Sequence, residues 1–110
     1  LKVDLKIKGD IDQLGEVVNI NVYRIIQEAM NNVVKHAKAE NIKISLLKTK
    51  ESLKIECGDD GKGFDLKILK KTKQFGLMGI KERAQALNGK LNIKSAENKG
   101  TLLTIEIPTK

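Results

Sequence analysis

Tryptophan is absent from this chain, cysteine and proline occur once each, and aromatic residues make up 3% of its 110 positions. Cys57 has no partner for an internal disulfide, so a core without cross-links must hold the fold, and a reducing, cytoplasmic setting is expected. No apolar run is long enough for a signal peptide or a membrane span, which argues against membrane contact by this segment. Single-stranded nucleic acid is usually held on stacking platforms, and Tyr23, Phe64 and Phe75 are too few to build them. The length accommodates one domain, residues 1–110, with a single core between two layers and no room for a second substrate-binding unit.

Basic residues, by contrast, are plentiful: Lys and Arg total 21 against 14 Asp and Glu, a net charge of +7. That excess favours polyanions such as nucleic acid, acidic lipid headgroups or nucleotide phosphates, and charge alone does not choose among them.

Periodicity divides the chain into short elements. Residues 1–8, LKVDLKIK, set Leu1, Val3, Leu5 and Ile7 on one side and charged residues on the other, the period of two expected of a half-buried strand. From about Asn19 to Ala37, Val22, Ile25, Ile26, Ala29, Val33 and Ala37 recur at threes and fours, the stripe of an amphipathic helix. Ile42, Ile44 and Leu46, then Leu53, Ile55 and Cys57, alternate on either side of KTKES and predict a hairpin. Residues 58–76 contain Gly58, Gly61, Gly63 and Gly76 and predict a loop, long enough for a lid over a site. A second helix follows from Leu77 through Ile80, Ala84 and Leu87, and Gly89 is the expected left-handed cap. Strands at 90–95 and 101–107 close the pattern. Clean alternation predicts an α+β two-layer sandwich, with one sheet face covered by both helices and the other open to water.

The first helix carries an unusual edge. In QEAMNNVVKHA, residues 27–37, Glu28, Asn32 and His36 fall on one line at i, i+4 and i+8 beside the apolar stripe, with Lys35 one step outward. A carboxylate and an amide oxygen one turn apart can meet a hard divalent cation, directly or through its water, while Lys35 and His36 can neutralise phosphate oxygens. The set suits a magnesium nucleotide, and a plainly solvated helix edge is the competing use. No Cys/His/Asp cluster accompanies His36, so a transition-metal site is discounted. In GDDGKGFD, residues 58–65, Asp59, Gly61 and Gly63 form D-x-G-x-G, where the backbone can approach a flat ligand and a carboxylate can accept from an amino group; an ordinary turn looks the same. Gly76 and Gly79, at the start of the second helix, could leave N–H groups open to phosphate. Thr101 could support a bound base or satisfy its own turn.

Taken in order, these segments resemble the ATP-binding domain of sensor histidine kinases, within the superfamily of DNA gyrase, the heat-shock chaperone ATPases and the mismatch-repair ATPases. YRIIQEAMNNVVKHAKA resembles the N box, DDGKGF the first glycine box, FGLMGIKERAQALNGKL the second, and GTLLTIEIP the last threonine-bearing strand. The wording is most similar to the subgroup of nitrate-sensor, lipid-desaturation and cell-envelope stress kinases. The resemblance implies a Bergerat-type fold with a mixed, mostly antiparallel sheet, and ATP and Mg²⁺ as cofactors. It implies that Asn32 coordinates Mg²⁺, Glu28 positions or activates the attacking group, and Lys35 and His36 contact phosphate. Asp59 would receive the adenine amino group, supported by Thr101. Gly61 and Gly63 would shape the adenine pocket, and Gly76 and Gly79 would border the phosphates. Leu77 joins this nucleotide-lining set, with packing the alternative for it and for Phe64.

The implied partners are a separate dimerisation domain bearing the phosphoacceptor histidine, in a homodimeric full-length kinase, and a response regulator. Direct nucleic-acid contact is not implied, and His36 is no substitute acceptor. A same-fold ATPase, an anti-sigma serine kinase, a nucleotide-binding scaffold and a basic nucleic-acid-binding module are the rival readings.

Overall fold

The computed structural model describes residues 2–11, 14–34, 38–62, 77–95 and 99–109, with the Leu77 side chain excepted. In chain order its elements are β1 (Lys2–Lys8), α1 (Glu16–Asn32), β2 (Asn41–Lys48), β3 (Ser52–Asp59), α2 (Leu77–Ala86), β4 (Lys90–Ser95) and β5 (Thr101–Pro108). The strands form one sheet in the order β1-β2-β3-β5-β4. β1 and β2 are parallel, and the other neighbours are antiparallel. A parallel pair needs a crossover, and α1 supplies it. The result is the expected two-layer α+β sandwich with a mixed, mostly antiparallel sheet.

Alternation along the strands determines which face is dry. Ile42, Ile44 and Leu46 of β2, Leu53, Ile55 and Cys57 of β3, and Leu103, Ile105 and Ile107 of β5 are all buried. They meet Val22, Ile25, Ala29 and Val33 from the α1 side and Ile80 and Ala84 of α2. Burying an isoleucine side chain contributes about 1.5–3 kcal/mol. Ile25, Ile55, Ile80 and Ile105, each 0% exposed, therefore bind both helices firmly to the sheet. On the opposite face of β2, Asn41, Lys43 and Leu47 are exposed.

The structure departs from sequence expectation in four places. β1 is not half-buried: Val3, Leu5 and Ile7 lie in register with buried Ile42, Ile44 and Leu46, yet remain 48%, 54% and 47% exposed. The helical cover stops short of this edge strand. α1 begins at Glu16 rather than near Asn19, where Gly15 turns the chain at φ 87° and Glu16 complements the positive helix end. The left-handed residue after α2 is Asn88, at φ 59°, not Gly89. Gly89 is needed for a different reason: a Cβ there would lie 2.8 Å from the Glu106 carbonyl oxygen and 3.0 Å from Ile107. β3 continues through Gly58 and Asp59, so the connection between β3 and α2 starts later than the glycine pattern implies. No helix among the described residues is long and apolar enough to cross a membrane.

Candidate functional site

The β3–β5 register sets Asp59 opposite Thr101, and the β2–β3 register sets it beside Ile42. Side chains alternate along a strand, so Asp59 projects on the same helix-covered face as buried Cys57, at the margin of the core. β4 extends the row by setting Ser95 opposite Thr101. Three polar side chains thus lie abreast on β3, β5 and β4, and a cleft of about 460 Å³ at this end of the sheet is lined by them, by Lys99 and Gly100, and by Gly58, Leu102 and Lys94 of the neighbouring row.

Hydrogen bonds hold this row in place. The Gly61 N–H donates to Asp59 Oδ1 at 2.8 Å. Ser95 Oγ donates to the Gly100 carbonyl at 3.0 Å and lies 2.9 Å from Thr101 Oγ1. With the Ser95 proton directed at Gly100, Thr101 is the donor in the hydroxyl pair and retains lone pairs for a further donor. Gly100 adopts φ 76°, and a Cβ there would overlap the backbone oxygen of Asp59, so only glycine lets β5 enter so close to the carboxylate. Burial raises the Asp59 carboxyl above its ordinary pKa; the Gly61 N–H opposes that rise and the neighbouring Asp60 charge adds to it. A half-buried carboxylate of this kind gains from a ligand that donates to it.

Asp60 points elsewhere. Its Oδ1 accepts the backbone N–H groups of Glu40 and Asn41, both at 2.9 Å, and its Oδ2 accepts Asn41 Nδ2 at 2.7 Å. These donors, led by the Asn41 amide, hold its carboxyl below the usual range.

On α1, Glu28 and Asn32 are half-buried and one turn apart, flanking buried Ala29 and Val33. This is the polar shoulder that the spacing predicts. Asn32 Nδ2 is enclosed and has no hydrogen-bond partner among the described residues. A buried polar group left unsatisfied costs about 1–3 kcal/mol, so the site gains from a ligand there. As an N–H donor Asn32 Nδ2 suits an acceptor such as a phosphate oxygen, and a half-turn of the amide presents its oxygen instead. No three His, Cys, Asp or Glu among the described residues are grouped to hold a metal ion by themselves. Mg²⁺ does not require such a cage, because it usually keeps several waters and is held by one or two protein oxygens plus substrate phosphates. Glu28 and Asn32 fit that more modest role.

Of the predicted residues, Asp59, Gly61 and Thr101 meet at one end of the sheet. Glu28 and Asn32 form a second group on α1, and neither of the clefts adjoining Asp59, of about 460 and 950 Å³, is lined by them. Gly79 lies in the first turn of α2, with nothing among the described residues within 4 Å of where a Cβ would stand. Lys35, His36, Gly63, Phe64 and Gly76, together with the expected lid, lie outside the described residues, as does the Leu77 side chain. Sequence reasoning missed Ser95 and the Asp60–Asn41 pair. Ser95 ends the row begun by Leu91 and Ile93, and that alternation was the available signal.

The profile of the histidine kinase-, DNA gyrase B- and HSP90-like ATPases matches residues 17–110. The chain is 41% identical over 106 residues to the signal transduction histidine-protein kinase/phosphatase DegS of Brevibacillus brevis, covering 96% of this chain and 27% of that protein. It is 47% identical over 90 residues to the sensor histidine kinase YdfH of Bacillus subtilis, covering 80% of this chain and 22% of the relative. The chain therefore spans about a quarter of the length of these relatives. Among solved structures, the blue-light activated histidine kinase of Erythrobacter litoralis superposes with a TM-score of 0.77 at 22% identity, over 98% of this chain and 35% of that one. The nucleotide-free catalytic domain of the histidine kinase ThkA gives 0.72 at 20% identity, over 97% and 78%.

Proposed function

Because the chain belongs to the family of histidine kinase-, DNA gyrase B- and HSP90-like ATPases, we propose that it is the ATP-binding catalytic domain of a two-component sensor histidine kinase. It would deliver the γ-phosphoryl group of ATP to a histidine on a separate dimerisation domain, for relay to a response regulator. The relatives' names support the kinase over the other ATPases of the family. The observation that carries the nucleotide reading is the row of Asp59, Thr101 and Ser95 beside an open cleft.

In this reading Asp59 accepts the exocyclic amino group of adenine, and that donor would offset the burial that raises the Asp59 pKa. Gly61 fixes one carboxylate oxygen and leaves the other for the base. Thr101, oriented by Ser95, accepts from the base edge or from a water shared with Asp59. At the phosphate end Asn32 would supply an amide oxygen to Mg²⁺, and the chemistry the ion would contribute is neutralisation of phosphate charge. Glu28, one turn away, orients the attacking imidazole or holds its proton. Lys35 and His36 are assigned to phosphate oxygens, Gly63 to the adenine pocket, and Gly76, Leu77 and Gly79 to the phosphate border. Positioning and charge neutralisation dominate phosphoryl transfer, so the domain's task is to present the γ-phosphate to an incoming nucleophile.

Calorimetric titration with ATP, with and without Mg²⁺, tests the reading. The wild-type protein is expected to bind Mg-ATP, and Asn32→Ala to lose the dependence on Mg²⁺. Unchanged Mg²⁺-dependence in that variant would remove Asn32 from the site.

A further inference from the structure

An exposed carboxylate ordinarily does little beyond holding water, and Asp60 is exposed. Its bonds are nevertheless concentrated. Three donors from Glu40 and Asn41, 20 and 19 residues away in sequence, converge on its two oxygens at 2.7–2.9 Å. The Asp60 N–H returns a bond of 3.3 Å to the Asn41 carbonyl, so the contact is reciprocal. Glu40 and Asn41 close the segment that leaves α1, whose last turn carries Asn32, and they open β2. Asp60 follows directly on Asp59. One carboxylate therefore joins the chain leaving the helix of Asn32 to the strand end bearing Asp59. The β2–β3 ladder already pairs Ile42 with Asp59 without this bond.

We propose that Asp60 is a positioning residue for nucleotide: with Asn41 it latches the α1 exit to the end of β3 and so fixes the spacing between the adenine side and the phosphate side of the site. The proposal rests on the assignment of Asp59 to adenine and of Asn32 to the phosphate-bound ion. Asp60 touches no ligand. Its effect falls on ligands that must span both ends at once, and a ligand that occupies only the adenine end does not need the spacing.

The chemistry of the pair supplies a test. Asp60→Ala removes all three acceptor contacts. Asn41→Asp alone sets two carboxylates against each other. In the double variant Asn41→Asp/Asp60→Asn, the amide oxygen introduced at position 60 still accepts both backbone N–H groups. Its NH₂ then donates to the carboxylate introduced at position 41, restoring the third bond with its direction reversed.

Binding of Mg-ATP and of adenosine is measured by calorimetry, well below the melting temperature of each variant. Asp60→Ala is expected to weaken Mg-ATP about tenfold and adenosine by less than about threefold, and the double variant to return Mg-ATP to within about threefold of wild type. Should Asp60→Ala fail to fold, Asn41→Asp against the double variant makes the same comparison. The proposal is overturned if Asp60→Ala binds Mg-ATP like wild type, if both ligands weaken in equal proportion, or if the exchange gives no recovery. Failure of the underlying reading looks different: wild type would not bind Mg-ATP, or Asp59→Ala would bind it undiminished, and either result removes the latch proposal as well.

Discussion

Replacing Gly79 with alanine separates what the fold requires from what the site requires. Gly79 lies in the first turn of α2, its φ is not positive, and a Cβ there meets nothing within 4 Å among the described residues. Alanine is favoured over glycine within a helix by about 0.5–1 kcal/mol. Gly79→Ala should therefore stabilise the ligand-free protein. For a domain of this size, that corresponds to a rise of about 3–6 °C in melting temperature. The same methyl group would stand at the helix start to which the phosphates are assigned, where backbone N–H groups meet the ligand. Losing one charge-assisted hydrogen bond costs about 1.5–3 kcal/mol, so Mg-ATP affinity should fall at least about tenfold. Thermal denaturation with and without Mg-ATP reads both effects, because a ligand stabilises in proportion to the logarithm of its concentration over Kd. The variant should melt higher than wild type alone and gain less from nucleotide. A lower melting temperature without ligand would refute the open space around Gly79, and an undiminished nucleotide effect would refute its place at the phosphates.

Gly100→Ala should behave in the opposite way, since it imposes φ 76° on a side chain and drives a methyl group into the Asp59 backbone. A loss of about 2–4 kcal/mol is expected in urea denaturation, and a loss under about 1 kcal/mol would contradict the close approach. Asp59→Asn should raise the stability of the nucleotide-free protein at neutral pH while weakening adenine recognition. The sign follows from the raised pKa: the folded state holds the Asp59 proton more tightly than the unfolded one, so its contribution is fully present below the ordinary carboxylate pKa and is lost as pH rises through the folded value. The wild-type contribution should thus decline with rising pH just above the ordinary carboxylate range, and the asparagine variant should lack that decline; identical pH profiles would sink the assignment. Cys57 is 4% exposed and burial pushes its thiol up to about 12, so a thiol reagent at pH 8 should label it no faster than the protein unfolds. Labelling at the rate of a free thiol would contradict that burial.

The strands were legible because one face is dry and the other wet, which stamps a period of two on β2, β3 and β5. β1 carries the same stamp, yet its apolar row stays uncovered, because burial at a sheet edge depends on how far the helices reach across and not on local alternation. Gly58 concealed the end of β3 for a related reason: the backbone ladder to Ile42 and Thr101 continues regardless of the missing side chain. Glu28 and Asn32 could be placed together from helical spacing alone, whereas Ser95 and Asp60 acquire their partners through cross-strand register and through a contact spanning some 20 residues. Asn88 rather than Gly89 takes the left-handed turn because the glycine is reserved for contact with β5.

β5 is synthesised after every other strand of the sheet, yet it lies between β3 and β4. Until the ribosome has released it, β3 presents an unsatisfied hydrogen-bonding edge, Asp59 has no Thr101 beside it, and β4 has no strand to join. A nascent chain stalled before Thr101 would therefore expose a sticky template for intermolecular pairing while unable to recognise a base, so translational arrest at this point should be especially prone to aggregation.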